Sequence, residues 1–173
     1  MMKKLSMEEL NRLSKEEFKN ADKKKIIVIL DNIRSMHNVG SVFRTSDAFA
    51  LEKIILCGIT AQPPHREIEK AALGATESVD WEHHPKTIEV VKKLKSEGYK
   101  IISIEQAENS IFLQNFETKL DEKYAIVFGN EVEGVDQEVI YASDYCIEIP
   151  QFGTKHSFNV SVCAGIVLWE LSN

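Results

Sequence analysis

Apolar residues along the chain form short continuous runs that alternate with stripes of helical period. Residues 26–30 are a run of β-branched and aliphatic side chains, which predicts a strand buried on both faces of a sheet. Similar runs predict four more strands, at 53–57, 99–104, 124–128 and 145–149. Helices are predicted over 41–49, 87–97 and 157–171. This alternation predicts an α/β fold with a mostly parallel sheet and flanking helices.

The first 25 residues have a different pattern from the rest of the chain. Ser6 with Glu9, and Ser14 with Glu17, have the spacing of helix capping boxes. A charged junction at 22–25 follows them. We therefore expect a helical extension over residues 1–25 and one domain over residues 26–173, a length that can bury a substantial core.

Composition excludes several classes of protein. The chain is 43% hydrophobic and 28% charged, which is typical of a globular domain. No apolar run is long enough to span a membrane and no signal peptide is evident, so we expect a cytoplasmic protein without a membrane partner. The three cysteines are widely spaced and form no C-x-x-C pair, which argues against a metal site. A net charge of -6 argues against nucleic-acid binding, although a local basic patch is compatible with it.

Polar residues follow the first predicted strand, where the active sites of open parallel sheets lie. This segment, 31–44, contains Asn38, Gly40 and Arg44. A helix that begins near Gly40 would present free N–H groups to an anion, and the planar fork of Arg44 suits a phosphate. The alternative is that Asn38 caps the helix and Arg44 forms a surface ion pair.

Two later segments also place polar residues after strands. In 129–135, two glycines bracket Glu131, an arrangement that suits either close approach of a ligand or a tight turn. In 150–161, Ser157 is a candidate N-cap, and Asn159 begins an otherwise apolar helix, so its amide needs a partner. His156 is a candidate base, but a single histidine in such a segment is more often an ordinary loop residue. The chain has no dinucleotide or Walker A fingerprint. The residues alone predict an α/β domain that binds an anionic or nucleotide ligand.

Taken together and in this order, the three segments resemble the motifs of the SpoU/TrmH-type branch of the SPOUT RNA methyltransferases. The matching residues are 38–44 with 47–49, then 126–131 with Gly134, then 149–153 with 157–161. The resemblance covers roughly residues 26–172. It implies a C-terminal deep trefoil knot (the SPOUT fold), S-adenosylmethionine as the cofactor, and a homodimer. The implied reaction is methylation of a ribose 2′-hydroxyl in tRNA or rRNA.

The same resemblance implies which residues form the site. Cofactor contacts are expected from Ile104, Gly129, Ile149 and Phe158, the last of which stands where the family usually has leucine. The implied catalytic set is Asn38, Arg44, Glu131, Ser157 and Asn159. We expect Arg44 to hold a phosphate and stabilise the developing alkoxide, Ser157 and Asn159 to orient the ribose, and Glu131 to hold a donor of the first segment. No metal is expected.

Two other hypotheses stay open at this point. The acidic charge and the lack of an accessory RNA-binding domain in this sequence favour a knotted RNA-binding or assembly module that has lost catalysis. The intact polar set argues against that hypothesis. A related knotted enzyme that methylates a base nitrogen is a further alternative, although the asparagine and arginine of the first segment favour ribose.

Overall fold

The computed structural model describes residues 2–6 and 8–173, and within them seven strands form one sheet. The strands are β1 (Lys24–Asp31), β2 (Leu51–Cys57), β3 (Trp81–His84), β4 (Tyr99–Ile104), β5 (Ile111–Phe112), β6 (Lys123–Phe128) and β7 (Tyr145–Glu148). The helices are α1 (Lys15–Asn20), α2 (Met36–Ala48), α3 (Arg66–Ala72), α4 (Ala75–Ser78), α5 (Thr87–Ser96), α6 (Gln137–Ala142) and α7 (Val160–Leu171). The strand order across the sheet is β3-β2-β1-β6-β4-β7-β5.

Every pairing in this sheet is parallel. The α/β class is therefore confirmed, and the mostly parallel sheet is a wholly parallel one. The prediction that β1 is buried on both faces is confirmed. The strand pairs with β2 on one side and β6 on the other, and its last six residues are all buried. The trefoil knot stays a prediction.

Helices cover both faces of the sheet, and the side chains of β1 alternate between them. Val28 and Leu30 join a core cluster that includes residues of α2, α3 and α7. Ile27 and Ile29 point the other way and join a second cluster with α5 and α6. The carboxyl ends of the strands are left for the connecting loops, which is where the candidate site lies.

Two helices begin at different residues from those predicted. Helix α2 starts at Met36, five residues before the predicted start, because the Ser35 side chain accepts a hydrogen bond from the Asn38 backbone and caps it. Gly40 therefore lies inside α2, where an added Cβ would clash with the carbonyl oxygen of Ile68 on α3. Its role is to let two helices pack closely. Helix α7 starts at Val160, and its N-cap is Asn159 rather than Ser157.

Several elements were not predicted because they are too short to show a period. These are α3, α4, α6, β3 and β5. The segment 58–65, between β2 and α3, is tied to the sheet by buried Thr60, whose hydroxyl donates to the Leu30 carbonyl oxygen and accepts from the Ile33 amide.

At the N-terminus, the predicted Ser14–Glu17 capping box is present on α1. Ser6 and Glu9 bond each other in the same way, but in a turn rather than a helix. Within residues 2–6 and 8–173, no helix is long and apolar enough to cross a membrane.

Candidate active site at the carboxyl edge of the sheet

The sheet order brings the three polar segments together. Strands β1, β6, β4 and β7 are consecutive neighbours, so the loops that follow them leave the same edge side by side. The register places Leu30, Phe128, Ile104 and Ile147 at one level across these four strands. Three segments at this edge are named as follows. Loop 1 is residues 31–38, from the end of β1 into the first turn of α2; loop 2 is residues 129–135, after β6; and loop 3 is residues 149–159, after β7.

Glu131 of loop 2 binds loop 1 through three hydrogen bonds. Its Oε2 accepts from the Arg34 backbone amide at 2.9 Å, and its Oε1 accepts from the Ser35 amide at 3.0 Å and from Asn38 Nδ2 at 3.1 Å. Desolvation raises the pKa of Glu131, but these hydrogen bonds outweigh it and hold the pKa below its ordinary value. Glu131 is therefore an ionised clamp on the start of α2.

Asn159 joins loop 3 to the same cluster. Its Nδ2 donates to Asn38 Oδ1 at 3.1 Å, while its Oδ1 accepts from the Ser161 amide at 2.9 Å and the Val162 amide as the cap of α7. Asn38, 8% exposed, thus uses both ends of its amide, one toward loop 2 and one toward loop 3. The Asn38 side chain is therefore not the cap of α2, and the Glu131 carboxylate bonds loop 1 from within the tight turn that the sequence allowed.

Loop 2 is a tight hairpin whose shape depends on glycine. Asn130 and Gly134 exchange two backbone hydrogen bonds, each 2.9 Å long. Gly134 has a φ of +71°, and a Cβ at Gly129 would clash with the backbone of Gly134 and Val135. Asn130 Nδ2 also donates to the Asn32 carbonyl oxygen at 2.6 Å, which fixes the hairpin against loop 1.

A cavity of about 860 Å³ lies beside this cluster, between β4, loop 2 and loop 3. Its lining includes all four residues predicted to contact a cofactor: Ile104, Gly129, Ile149 and Phe158. Glu131 and Ser157 of the predicted catalytic set also line it. Five glutamates line the cavity, and the described lining contains no lysine or arginine, so the cavity is negatively charged.

Arg44 is the member of the predicted set that one chain brings neither to the cavity nor to the hydrogen-bonded cluster of Asn38, Glu131 and Asn159. It lies on α2 beyond Asn38, its side chain is exposed, and it is not among the residues that line the cavity. Within the described part of the chain, its guanidinium forms no ion pair or hydrogen bond. The surface ion pair considered as an alternative is therefore absent from one chain.

Glu105 and Gln106, which were not among the predicted site residues, also line the cavity. Both follow β4, and each bonds one of the neighbouring loops. The available signal was a pair of polar residues directly after a predicted strand, the same signal that identified the other three segments.

The cysteines near the site are held as neutral thiols. Burial raises the pKa of Cys163, which lines the cavity, to about 12, and it raises the pKa of Cys146 as well. Among the described residues, no group of three or more His, Cys, Asp or Glu side chains is placed to hold a metal ion.

The fold and the site define a class: a parallel α/β protein with a cofactor-sized cavity at the carboxyl edge of its sheet, beside three loops that are hydrogen-bonded to one another. The family model described as the SpoU rRNA methylase family matches residues 25–169. The chain belongs to this family.

Two similar proteins agree with this family assignment. The chain is 32% identical over 151 residues to the 23S rRNA (guanosine-2′-O-)-methyltransferase RlmB of Neisseria meningitidis serogroup B, covering 87% of this chain and 59% of that protein. It is 30% identical over 153 residues to a TrmH-family protein of Staphylococcus saprophyticus, covering 88% and 60%. The chain thus spans about 60% of the length of these relatives.

Solved structures show the same fold. The A. aeolicus TrmH/SpoU tRNA modifying enzyme superposes with a TM-score of 0.80 at 25% identity, covering 91% of this chain and 80% of that one. The AdoMet-bound rRNA methyltransferase from Sinorhizobium meliloti gives 0.79 at 24% identity, covering 88% and 58%.

Proposed function

We propose that the chain is an S-adenosylmethionine-dependent methyltransferase that methylates a ribose 2′-hydroxyl in tRNA or rRNA. The observation that carries the proposal is the hydrogen-bonded cluster of Asn38, Glu131 and Asn159 beside the cavity that Ile104, Gly129, Ile149 and Phe158 line. Family membership and the activity named for RlmB support it. Residues 26–173 would form the methyltransferase domain, with residues 1–25 as an extension, in a cytoplasmic protein.

The cavity suits the cofactor in size and charge. Its volume lies in the range of small-molecule sites, and Ile104, Phe128 and Phe158 provide apolar walls for an adenine ring. Its five glutamates favour a ligand that carries a positive sulfonium and an ammonium group. When bound, S-adenosylmethionine supplies an electrophilic methyl group whose leaving group is a neutral thioether.

The protein's own residues have separate roles in this proposal. Glu131 and Asn38 hold loops 1, 2 and 3 in one arrangement, which fixes where a ribose meets the cavity. The Ser157 hydroxyl, which lines the cavity, orients the ribose together with Asn159. The guanidinium group of Arg44 is a cation, so it holds an RNA phosphate and stabilises the developing alkoxide, and the 2′-hydroxyl proton leaves to water rather than to Arg44.

A second copy of the chain would complete the site. Helix α7 leaves Val162, Ile166 and Trp169 exposed at 52%, 37% and 59%, and these positions lie on one face of the helix. An apolar stripe of this kind favours burial against another protein surface, and a homodimer is the expected occupant. Sedimentation equilibrium of the wild-type chain and of Ile166→Glu tests this: a dimer that the substitution dissociates is expected, and a monomeric wild type contradicts it.

The first test of the proposed activity uses the cofactor and RNA together. Calorimetry measures S-adenosylmethionine binding, and transfer of labelled methyl groups is measured on tRNA and rRNA from cells that lack the gene. Nucleoside mass spectrometry is expected to find 2′-O-methylribose, and an RNA with a 2′-deoxy target nucleotide is expected to accept no methyl group. A methylated base would establish the nitrogen-methylating alternative instead. No cofactor binding at millimolar concentration would favour the inactive module.

The second test concerns Arg44. Arg44→Ala is expected to abolish methyl transfer while leaving cofactor affinity unchanged, because Arg44 lies outside the cavity of its own chain. Arg12→Ala, which removes the same charge from the N-terminal segment, is the matched control and is expected to keep activity. Full activity of Arg44→Ala contradicts the catalytic assignment.

A further inference from the structure

Strand β4 occupies a particular position in the sheet, between β6 and β7. Its last residue, Ile104, is in register with Phe128 on one side and with Ile147 on the other. The residues that follow Ile104 therefore lie between loop 2 and loop 3, the two loops that enclose the cavity. A side chain here is able to reach either loop, whereas loop 1 lies one strand further away, beyond loop 2.

Glu105 bonds loop 2. Its Oε2 accepts from the Val135 backbone amide at 3.1 Å, and its Oε1 accepts from the Gln106 amide at 2.7 Å. The carboxylate sits directly against the hairpin, because a Cβ at Gly134 would clash with its Oε2. Both carboxylate oxygens are therefore committed to backbone N–H groups, one in loop 2 and one at the end of β4.

Gln106 bonds loop 3. Its Nε2 donates to the His156 carbonyl oxygen at 2.8 Å, one residue before Ser157. Loop 3 is exposed from Phe152 to Asn159, so it has little burial to fix its backbone at this point. A single side-chain hydrogen bond therefore has a large influence on where Ser157 and Phe158 lie.

We propose that Glu105 and Gln106 are positioning residues that hold loops 2 and 3 at the spacing that S-adenosylmethionine needs. Glu105 sets the loop that carries Gly129, and Gln106 sets the loop that carries Phe158. Loops fixed before binding lose less conformational entropy when the ligand arrives, so these contacts raise affinity. The inference rests on the proposed function for the identity of the ligand. Neither residue is assigned to the reacting atoms.

Isosteric substitutions separate the two contacts. Glu105→Gln keeps the size of the side chain but leaves only one oxygen to accept, so one of the two backbone amides loses its partner. Gln106→Glu removes the donor to His156 and places a carboxylate against its carbonyl oxygen. Glu117→Gln is the matched control, because Glu117 is exposed, lies outside the cavity and has a side chain that bonds nothing within residues 2–6 and 8–173.

The experiment measures S-adenosylmethionine binding by calorimetry and amide hydrogen exchange on the full chain. Glu105→Gln and Gln106→Glu are each expected to weaken binding by roughly 5–30-fold, which corresponds to loss of one hydrogen bond, while Glu117→Gln stays within about 2-fold. Exchange is expected to quicken around Val135 in Glu105→Gln and around His156 in Gln106→Glu. The KM for S-adenosylmethionine is expected to rise while kcat at saturation is kept, a split that general destabilisation would not produce.

The outcomes distinguish the inference from the proposed function. If both variants bind S-adenosylmethionine as tightly as Glu117→Gln does, the inference is wrong and the proposed function stands. If the three variants weaken binding equally, the effect is one of charge or general stability and the positioning role is again wrong. If the wild-type chain binds no S-adenosylmethionine, the proposed function fails. If amide exchange at Val135 in Glu105→Gln and at His156 in Gln106→Glu is the same as in the wild type, the positioning role is wrong as well.

Discussion

Glu131→Gln tests the clamp between loop 2 and loop 1 most directly. The glutamate accepts three hydrogen bonds, from the Arg34 amide, the Ser35 amide and Asn38 Nδ2. Glutamine has the same shape but one accepting oxygen, so at least one donor then faces an NH₂ group. The substitution removes a charge-assisted hydrogen bond and leaves its donor without a protein partner.

The size of the effect follows from these contacts. A hydrogen bond to a charged group contributes about 1.5–3 kcal/mol, and partial exposure of Glu131 places the expected loss near the lower end, at about 1–2 kcal/mol. For a chain of this length, that loss lowers Tm by roughly 2–8 °C. Glu133→Gln removes the same charge two residues away, where the side chain is exposed, and we expect less than about 0.5 kcal/mol.

The stability lost in Glu131→Gln is expected to depend on pH. The pKa of Glu131 is lower in the folded protein than its ordinary value, so its stabilising contribution is present above the unfolded pKa and is lost as pH falls through the folded pKa. Urea unfolding at pH 7 and at a series of lower values is expected to show the gap between wild type and Glu131→Gln closing in acid. A gap that equals that of Glu133→Gln, or one that does not shrink in acid, would refute the reasoning.

Three further predictions concern the surroundings of the site. Gly40→Ala is expected to lower Tm, because the new Cβ clashes with the Ile68 carbonyl oxygen. Helix propensity alone predicts a gain in stability of about 1 kcal/mol for alanine. A higher Tm for the variant would therefore contradict the packing argument. Burial raises the pKa values of Cys57 and Cys163 to about 12, so a thiol reagent at pH 8 is expected to spare both in the native protein and label them in denaturant. Ser14→Ala removes the capping box of α1 and is expected to quicken amide exchange in that helix by roughly 5-fold. The Tm is expected to stay almost unchanged, because α1 buries no residue. A large fall in Tm would show that α1 supports the core.

The site was partly predictable because its polar residues stand at places that local patterns mark. Glu131 follows a strand between two glycines, and Asn159 begins an apolar helix, so each is conspicuous in the sequence. Which partner satisfies each side chain is not a local property. Glu131 bonds residues 93 to 97 positions away, and the Asn159 amide bonds one 121 positions away.

Helix ends were predicted less well than helices, because several polar residues competed for each cap. Ser35 and Asn38 both suit an N-cap, as do Ser157 and Asn159, and the sequence does not rank them. Packing decides: α2 extends back to Met36, where Glu131 holds the backbone of Arg34 and Ser35. The same extension moves Gly40 from a helix start to a helix crossing.

The sequence by itself determined the parallel α/β class, because alternating buried strands and amphipathic helices have a single economical packing. It also determined which loops carry the polar residues and, through its motifs, the family. Only the tertiary structure decided that β4 lies between β6 and β7, and hence that Glu105 and Gln106 face the two cavity loops. The physical reason is that strand order is set by pairing between residues far apart in the chain, whereas periodicity records only which face of each element is buried.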